Sequence, residues 1–366
     1  MNDELIRLVC DLIEFKTVKE NSSELDKCIN YCKKYFATDD FVIQEFSQNN
    51  KPSIIVSYAD NPTKHFKLLL NGHIDVVEAE KEQFNPLVKN GKIYGRGAVD
   101  MKGGVGAFMY LMNVFAKEKP DMALMIVSDE EIGGADGSGY LIEQGYTADF
   151  AIASEPNQPD KDSLDIVVKE KGLIWLKLTA NGIACHGSRP WLGDNALDKL
   201  LRTYAALRRL FPDTQPDDRW KPTMNLGKIS GGNSPNRVPD AAEMFLDIRY
   251  TEAMNVQDFL SGLNNLKEDG VSIEVIDTAP MLINKRFDEI QTLQKVAEKI
   301  QGRKSSLREE HGASDMRYLS EKGIPSIIFG PSGANHHGAN EYVIIQSMEL
   351  LIDIMEAYIE EKLIPK

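Results

Sequence analysis

His73 and Asp75 stand two residues apart, just after the apolar run Phe66 to Leu70. On an extended backbone two such residues point to the same side. A histidine beside a carboxylate suits a metal ligand held in place by its own hydrogen-bond partner, although the pair alone also describes a strand ending in a polar turn. Five more residues sit near the ends of apolar runs or in loops after them: Asp100, Glu130, Glu131, Glu155 and His337. Each has a plain structural alternative. Asp100 could cap a helix, Glu130 and Glu131 could form a solvated turn, Glu155 could lie in a surface loop, and His336 and His337 could sit on a glycine loop. Taken jointly, two histidines and three or four carboxylates suit zinc or another first-row divalent ion. The set is too large for one tetrahedral catalytic ion and fits two ions roughly 3.5–4 Å apart, bridged by one carboxylate. Such a pair lowers the pKa of a shared water toward ~7 and polarises a carbonyl oxygen. The water still needs a general base, and a carboxylate next in sequence to a ligand carboxylate can point that way. The chemistry expected is hydrolysis of an amide or related acyl bond.

The elements that must position these residues follow from the apolar pattern. Leu5, Leu8, Val9, Leu12 and Ile13 have helical spacing, and Ser23 can cap a second helix running to Phe36. Ser53–Tyr58, Phe66–Leu70, Ala123–Ser128 and Ala148–Ala153 read as strands, with a helix over Gly103–Ala116. The continuous apolar runs suit strands buried on both faces. Strands alternating with helices predict an α/β sheet with layers on both sides, whose ligands sit at strand carboxyl ends. His73, Glu130, Glu131 and Glu155 all fall there. From Leu173 the order becomes strand Leu173–Ala180, helix Asn195–Leu210, strands Met224–Ser230 and Glu243–Tyr250, helix Val256–Leu266 and strand Val271–Ile276. That is the β-α-β-β-α-β ferredoxin-like unit. The first pattern then resumes with helix Asp288–Ile300, strand Ser326–Phe329 and helix Gln346–Glu361. The expected division is 1–172 with 282–366 as one domain and 173–281 as an insertion.

A chain of 366 residues with 42% apolar and 27% charged residues suits two globular domains. A net charge of −14 argues against nucleic acid and anionic membranes as partners. The acidic start, Met1-Asn2-Asp3-Glu4, does not read as a secretory signal, and no apolar run approaches the length of a membrane span. Cys10, Cys28, Cys32 and Cys185 lack CxxC spacing, as expected of reduced thiols in a cytoplasm.

Motifs along nearly the whole chain make the sequence similar to the co-catalytic metallohydrolases that include acetylornithine deacetylase, succinyl-diaminopimelate desuccinylase, aminoacylase and carboxypeptidase G. They are Asn71-Gly72-His73-Ile74-Asp75-Val76-Val77, Tyr94-Gly95-Arg96-Gly97-Ala98-Val99-Asp100-Met101-Lys102-Gly103-Gly104, Ser128-Asp129-Glu130-Glu131, Ser154-Glu155-Pro156, Cys185-His186-Gly187-Ser188, Gly193-Asp194-Asn195-Ala196 and His337-Gly338-Ala339-Asn340-Glu341-Tyr342-Val343. The resemblance implies a mixed-sheet, zinc-peptidase-like catalytic domain with an inserted α+β lid and dimerisation domain. It implies two divalent metals, zinc first, with cobalt or manganese tolerated. His73 and Glu155 would bind the first ion, Glu131 and His337 the second, and Asp100 both, with a cis Asp100–Met101 peptide. His337 is preferred over His336 because Glu341 follows it by four residues, as in the family pattern. Asp75 would orient His73, and Glu130 would be the general base and then the acid. His186 would stabilise the oxyanion, often in the partner subunit of a homodimer.

For the substrate, the resemblance points to Asn236 and to Arg249 as a carboxylate clamp, with Gly312-Ala313-Ser314-Asp315 as a pocket loop. The implied reaction is deacylation of an N-acyl amino acid, with a dipeptidase or carboxypeptidase and a non-catalytic binder as alternatives. Glu170-Lys171-Gly172 and Arg189-Pro190 depart from the desuccinylase pattern, and the loop from Asp75 to Gly95 lacks the family's usual tryptophan. These departures leave the acyl group open.

Overall fold

The apolar stripe read in the first helix is the face that buries it. In the computed structural model, which describes residues 2–58, 63–156, 163–211, 213–215 and 219–364, helix Asn2–Glu14 turns Leu5, Leu8, Val9, Leu12 and Ile13 into a core. The chain packs as two compact units. One comprises Met1–Lys169, Leu282–Arg308 and Ser314–Lys366, and the other Glu170–Met281 and Glu309–Ala313.

The first unit is built on a mixed sheet. Its strands run in the order Val42–Gln48, Lys51–Ser57, Met122–Val127, His65–His73, Thr147–Ala153, Ser326–Ile328, Ile166–Glu170 and Leu282–Ile283. Strand Met122–Val127 is buried at every position, as its unbroken apolar run requires of a strand covered on both faces. In the neighbouring strand, Leu68 and Leu70 join one core and Leu69 the other. The first core also takes in helices Gly103–Val114 and Ile345–Lys362; the second takes in Leu141, Tyr146 and Leu319. Strands Met122–Val127 and Thr147–Ala153 both run parallel to His65–His73. His73 lies opposite Val127, and Asn71 opposite Ala153. That register ends three adjacent strands along one edge.

Some elements were not expected. Val42–Gln48 is an edge strand, antiparallel to Lys51–Ser57, and its polar residues at Gln44, Glu45 and Ser47 hide it from an apolar count. A separate four-stranded sheet joins Gly333–Ala334, Tyr342–Ile344, Lys92–Tyr94 and Leu87–Lys89. Its strands have only two or three residues, too few to show a period. Among the described residues, no helix is long and apolar enough to cross a membrane.

The second unit has one antiparallel sheet ordered Thr223–Gly231, Ala241–Tyr250, Gly172–Asn181 and Val271–Ala279. In chain order these are the second, third, first and fourth strands, the ferredoxin-like arrangement. Ile174, Leu176, Leu178 and Ala180 alternate inward onto helix Ala196–Arg208. Residues 170–172 and 309–313 also fall in this unit. There the Lys171 amide donates to the Glu310 carbonyl (3.3 Å), and the Trp220 ring lies 6.3 Å from that of His311.

Candidate metal centre

Three parallel strand ends deliver most of the chemistry-bearing residues. His73 is the last residue of its strand, Glu130 and Glu131 follow Val127, and Glu155 follows Ala153. The Ile74 amide donates to the Val127 carbonyl (2.9 Å), carrying the ladder one residue past His73. Glu130–Ile132 then forms a tight turn that leaves through Gly133 and Gly134, both at positive φ (111° and 65°). Gly134 has no room for a side chain, since a Cβ would lie 1.9 Å from Asp315 Oδ1.

Asp100 comes from the turn before helix Gly103–Val114, and its peptide bond to Met101 is cis. The loop is fastened by Glu341, four residues after His337. Glu341 is buried and accepts from the amides of Val99 (3.1 Å) and Asp100 (3.2 Å), and Arg96 pairs with its other oxygen. Glu341 thereby ties Asp100 to the hairpin that carries His337, which holds a left-handed φ of 60°. A buried acid next to short polar loop residues gave no periodic signal to find it by.

The side chains converge as two triads that share Asp100. His73 Nε2 lies 3.3 Å from Asp100 Oδ1 and 3.6 Å from Glu155 Oε1. His337 Nε2 lies 3.2 Å from Asp100 Oδ2 and 3.1 Å from Glu131 Oε1. Glu130 belongs to neither triad, and its Oε2 is 3.9 Å from His73 Nε2. Asp75 differs in detail from expectation. Its main-chain carbonyl is the near partner of His73 Nδ1 (2.9 Å), while its carboxylate stands 3.5 Å from that nitrogen. The carboxylate instead accepts from the amides of Glu130 (3.2 Å) and Glu131 (3.0 Å), because both N–H groups converge on it at the turn.

The electrostatics are those of a site with too much negative charge. Burial pushes Glu130 well above the usual carboxylate range, and Glu155 beside it adds to the effect. Burial disfavours a proton on His73, yet Glu155, Asp100 and Asp75 together hold its pKa well above the ordinary imidazole value. Hydrogen bonds to Asp100 and Glu131 push His337 up to about 10. Burial alone would raise Asp100, but the His337 and His73 rings beside it hold it far below the usual range. A positive charge at each histidine is therefore favourable. The donor set fits divalent ions on the same count: His73 Nε2 is buried with no hydrogen-bond partner of its own and faces carboxylate oxygens. Imidazole and carboxylate suit zinc-type ions, and binding would displace the protons.

His186, Asn236 and Arg249 lie in the second unit. The loops of the first two are joined there: the Gly187 amide donates to the Asn236 carbonyl (2.7 Å), and the Val238 amide to that of Cys185 (2.9 Å). His186 Nδ1 lies 2.8 Å from Ser188 Oγ. Arg249 Nε donates to Asp247 Oδ1 (3.0 Å), which also accepts from Trp175 Nε1 (3.1 Å).

Residues 69–361 match peptidase family M20/M25/M40. A succinyl-diaminopimelate desuccinylase of Rickettsia felis is 26% identical over 381 residues, covering 97% of this chain and 99% of that protein. Among solved structures, a tripeptidase of Staphylococcus aureus is 20% identical with a TM-score of 0.80, covering 99% of this chain and 98% of that one. A Bacillus subtilis protein described as a dinuclear metal-binding peptidase of family M20 is 14% identical with a TM-score of 0.69, covering 97% and 96%.

Proposed function

From the premise that the chain belongs to peptidase family M20/M25/M40 and is a metal-dependent amidohydrolase, we propose that it cleaves the amide bond of N-acyl amino acids, of the acetylornithine or succinyl-diaminopimelate type. The observation that carries the reading is the pair of triads sharing Asp100, with an uncommitted, partly buried carboxylate, Glu130, beside them. In this reading His73, Asp100 and Glu155 hold one divalent ion and Asp100, Glu131 and His337 the other. Zinc is the first choice, with cobalt or manganese accepted by the same donors. Bound there, two such ions would polarise the scissile carbonyl and acidify water.

The residues supply the rest. Glu130 takes a proton from the water that attacks the carbonyl carbon, then hands it to the amine nitrogen as the C–N bond breaks. The products are a carboxylate and a free amine. The raised proton affinity of Glu130 suits the second step. Asp75 holds the Glu130–Glu131 turn by two amides and His73 by its own carbonyl. His186 is assigned to the oxyanion and Asn236 and Arg249 to the substrate, in a cytoplasmic homodimer. Arg249 would clamp a carboxylate with the donors that Asp247 leaves unused.

A second reading, a dipeptidase or carboxypeptidase, is supported by the likeness to the tripeptidase fold. The two separate on one panel. Zinc-loaded protein is given N-acetyl and N-succinyl amino acids alongside peptides with a free α-ammonium, and amine release is followed. The expected result is kcat/KM about 100-fold or more in favour of the acyl substrates, since a charged ammonium entering a site built for a neutral acyl group is left unpaired. Equal or better hydrolysis of the peptides sinks the deacylase reading and keeps the peptidase one.

A further inference from the structure

Arg317 is a cation almost wholly withdrawn from water, on the short helix Met316–Glu321. Its hydrogen bonds go to main-chain carbonyls. Nη1 donates to Ser314 O (2.8 Å) and Nη2 to Gly133 O (2.6 Å). Tyr318 Oη donates to the same Gly133 oxygen, also at 2.6 Å. A carbonyl oxygen accepts through two lone pairs, so both are used on this one atom. Gly133 is where the Glu130–Ile132 turn ends.

The turn has little else to hold it. It has three residues, and its only apolar side chain, Ile132, is exposed. Within it the Gly133 amide donates to Glu130 O (2.8 Å), and the amides of Ile132 (3.2 Å) and Gly134 (2.8 Å) both donate to Asp129 O. At the entrance the Asp75 carboxylate takes the amides of Glu130 and Glu131. At the exit the guanidinium and the phenol take the Gly133 carbonyl. Two adjacent glutamates must face different ways here, one toward Asp100 and His337 and the other toward His73. Their directions follow from where the turn begins and ends. A charge-assisted bond from a planar guanidinium is stronger and more directional than a neutral one, and against the cost of burial the Asp315 carboxylate nearby favours a cation at this spot.

We propose that Arg317, seconded by Tyr318, is a positioning residue: it grips the exit carbonyl of the Glu130–Glu131 turn and so fixes Glu131 on the His337 side of Asp100. This rests on the metal-site reading above. It makes an asymmetric prediction, because Glu131 belongs to only one triad. Loosening the turn weakens the ion at Asp100–Glu131–His337 and spares the one at His73–Asp100–Glu155.

The test uses the full chain with Arg317→Met, Arg317→Lys and Tyr318→Phe. Metal-free protein is titrated with Zn²⁺ against a competing chelator, and backbone amide exchange is followed without metal. For Arg317→Met the expected result is a second ion bound about 10- to 100-fold more weakly, the range for a partner that orients a ligand, with the first ion within about threefold. kcat should fall by a similar factor with KM little changed. Exchange at residues 130–134 should quicken while strand Met122–Val127 stays protected. Tyr318→Phe, which keeps the arginine, should move the same quantities the same way by a few-fold, and Arg317→Lys should lie between. If Arg317→Met does not fold, Tyr318→Phe and Arg317→Lys decide on the same criteria. Equal weakening of both ions, or no change in either the ions or the local exchange, overturns the proposal. Wild-type protein that binds both ions but hydrolyses no amide would remove the proposed activity and leave the role of Arg317 to be decided by the ion and exchange measurements.

Discussion

Replacing Glu130 with alanine is expected to lower kcat by about 10²- to 10⁴-fold, the range for a positioned general acid–base group, while metal content stays at the wild-type level. Two observations set this combination. Glu130 is in neither triad of potential ligands, so its loss removes no donor from either site. Its carboxylate nevertheless lies 3.9 Å from His73 Nε2, beside the first triad. Burial and the neighbouring Glu155 make it hold a proton more readily than an ordinary carboxylate. A group that takes a proton and soon returns it works best when neither form is strongly favoured. Glu130→Gln should fall by a similar factor, since the amide keeps the shape and cannot accept the proton. KM should move little, because proton transfer is needed in the transition state and not for binding. Steady-state kinetics with metal analysis on the same preparation checks both halves. Activity within about tenfold of wild type would remove Glu130 from the chemistry. A large loss of metal would make it a ligand instead.

Asp100→Ala should have the broader effect. One oxygen of Asp100 faces His73 and the other faces His337, at 3.3 and 3.2 Å, so this single carboxylate completes both triads. Metal content should fall from two ions per chain toward none at micromolar free metal. Activity should fall by about 10³-fold or more, because several kcal/mol of charge stabilisation go with the ions. Glu155→Ala and His337→Ala are the controls. Each removes a donor from one triad only, so each should cost about one ion. A variant at Asp100 that still binds one ion tightly would show two independent sites in place of a shared one. Comparison of the three variants by metal analysis after equal dialysis distinguishes these outcomes.

The strand-end residues were legible because apolar runs stop abruptly at acids and histidine. Met122–Val127 and Phe150–Ala153 are buried runs that end just before Glu130 and Glu155, and parallel register does the rest. The ferredoxin-like unit was legible for a similar reason: its strands and helices each carry a full period of the apolar pattern. What escaped were contacts with no local signature. Glu341 meets Asp100 across 241 positions of chain, and Arg317 meets Gly133 across 184. Neither residue sits in a periodic pattern, and each acts on the main chain of another segment, which sequence spacing does not encode. The two-sided task of Asp75 escaped as well, because it depends on two amides that only the folded turn brings to one carboxylate. Arg249 shows the opposite case. Its contact with Asp247, two residues away on the same strand face, follows from the pleat alone.

The most direct test of the account follows amine release from an N-acyl amino acid while metal-free protein is titrated with zinc. The expected result is negligible activity without metal, rising to a plateau at about two bound equivalents per chain. A protein that binds two equivalents and releases no amine from any N-acyl amino acid or peptide, or one as active without metal as with it, would contradict it.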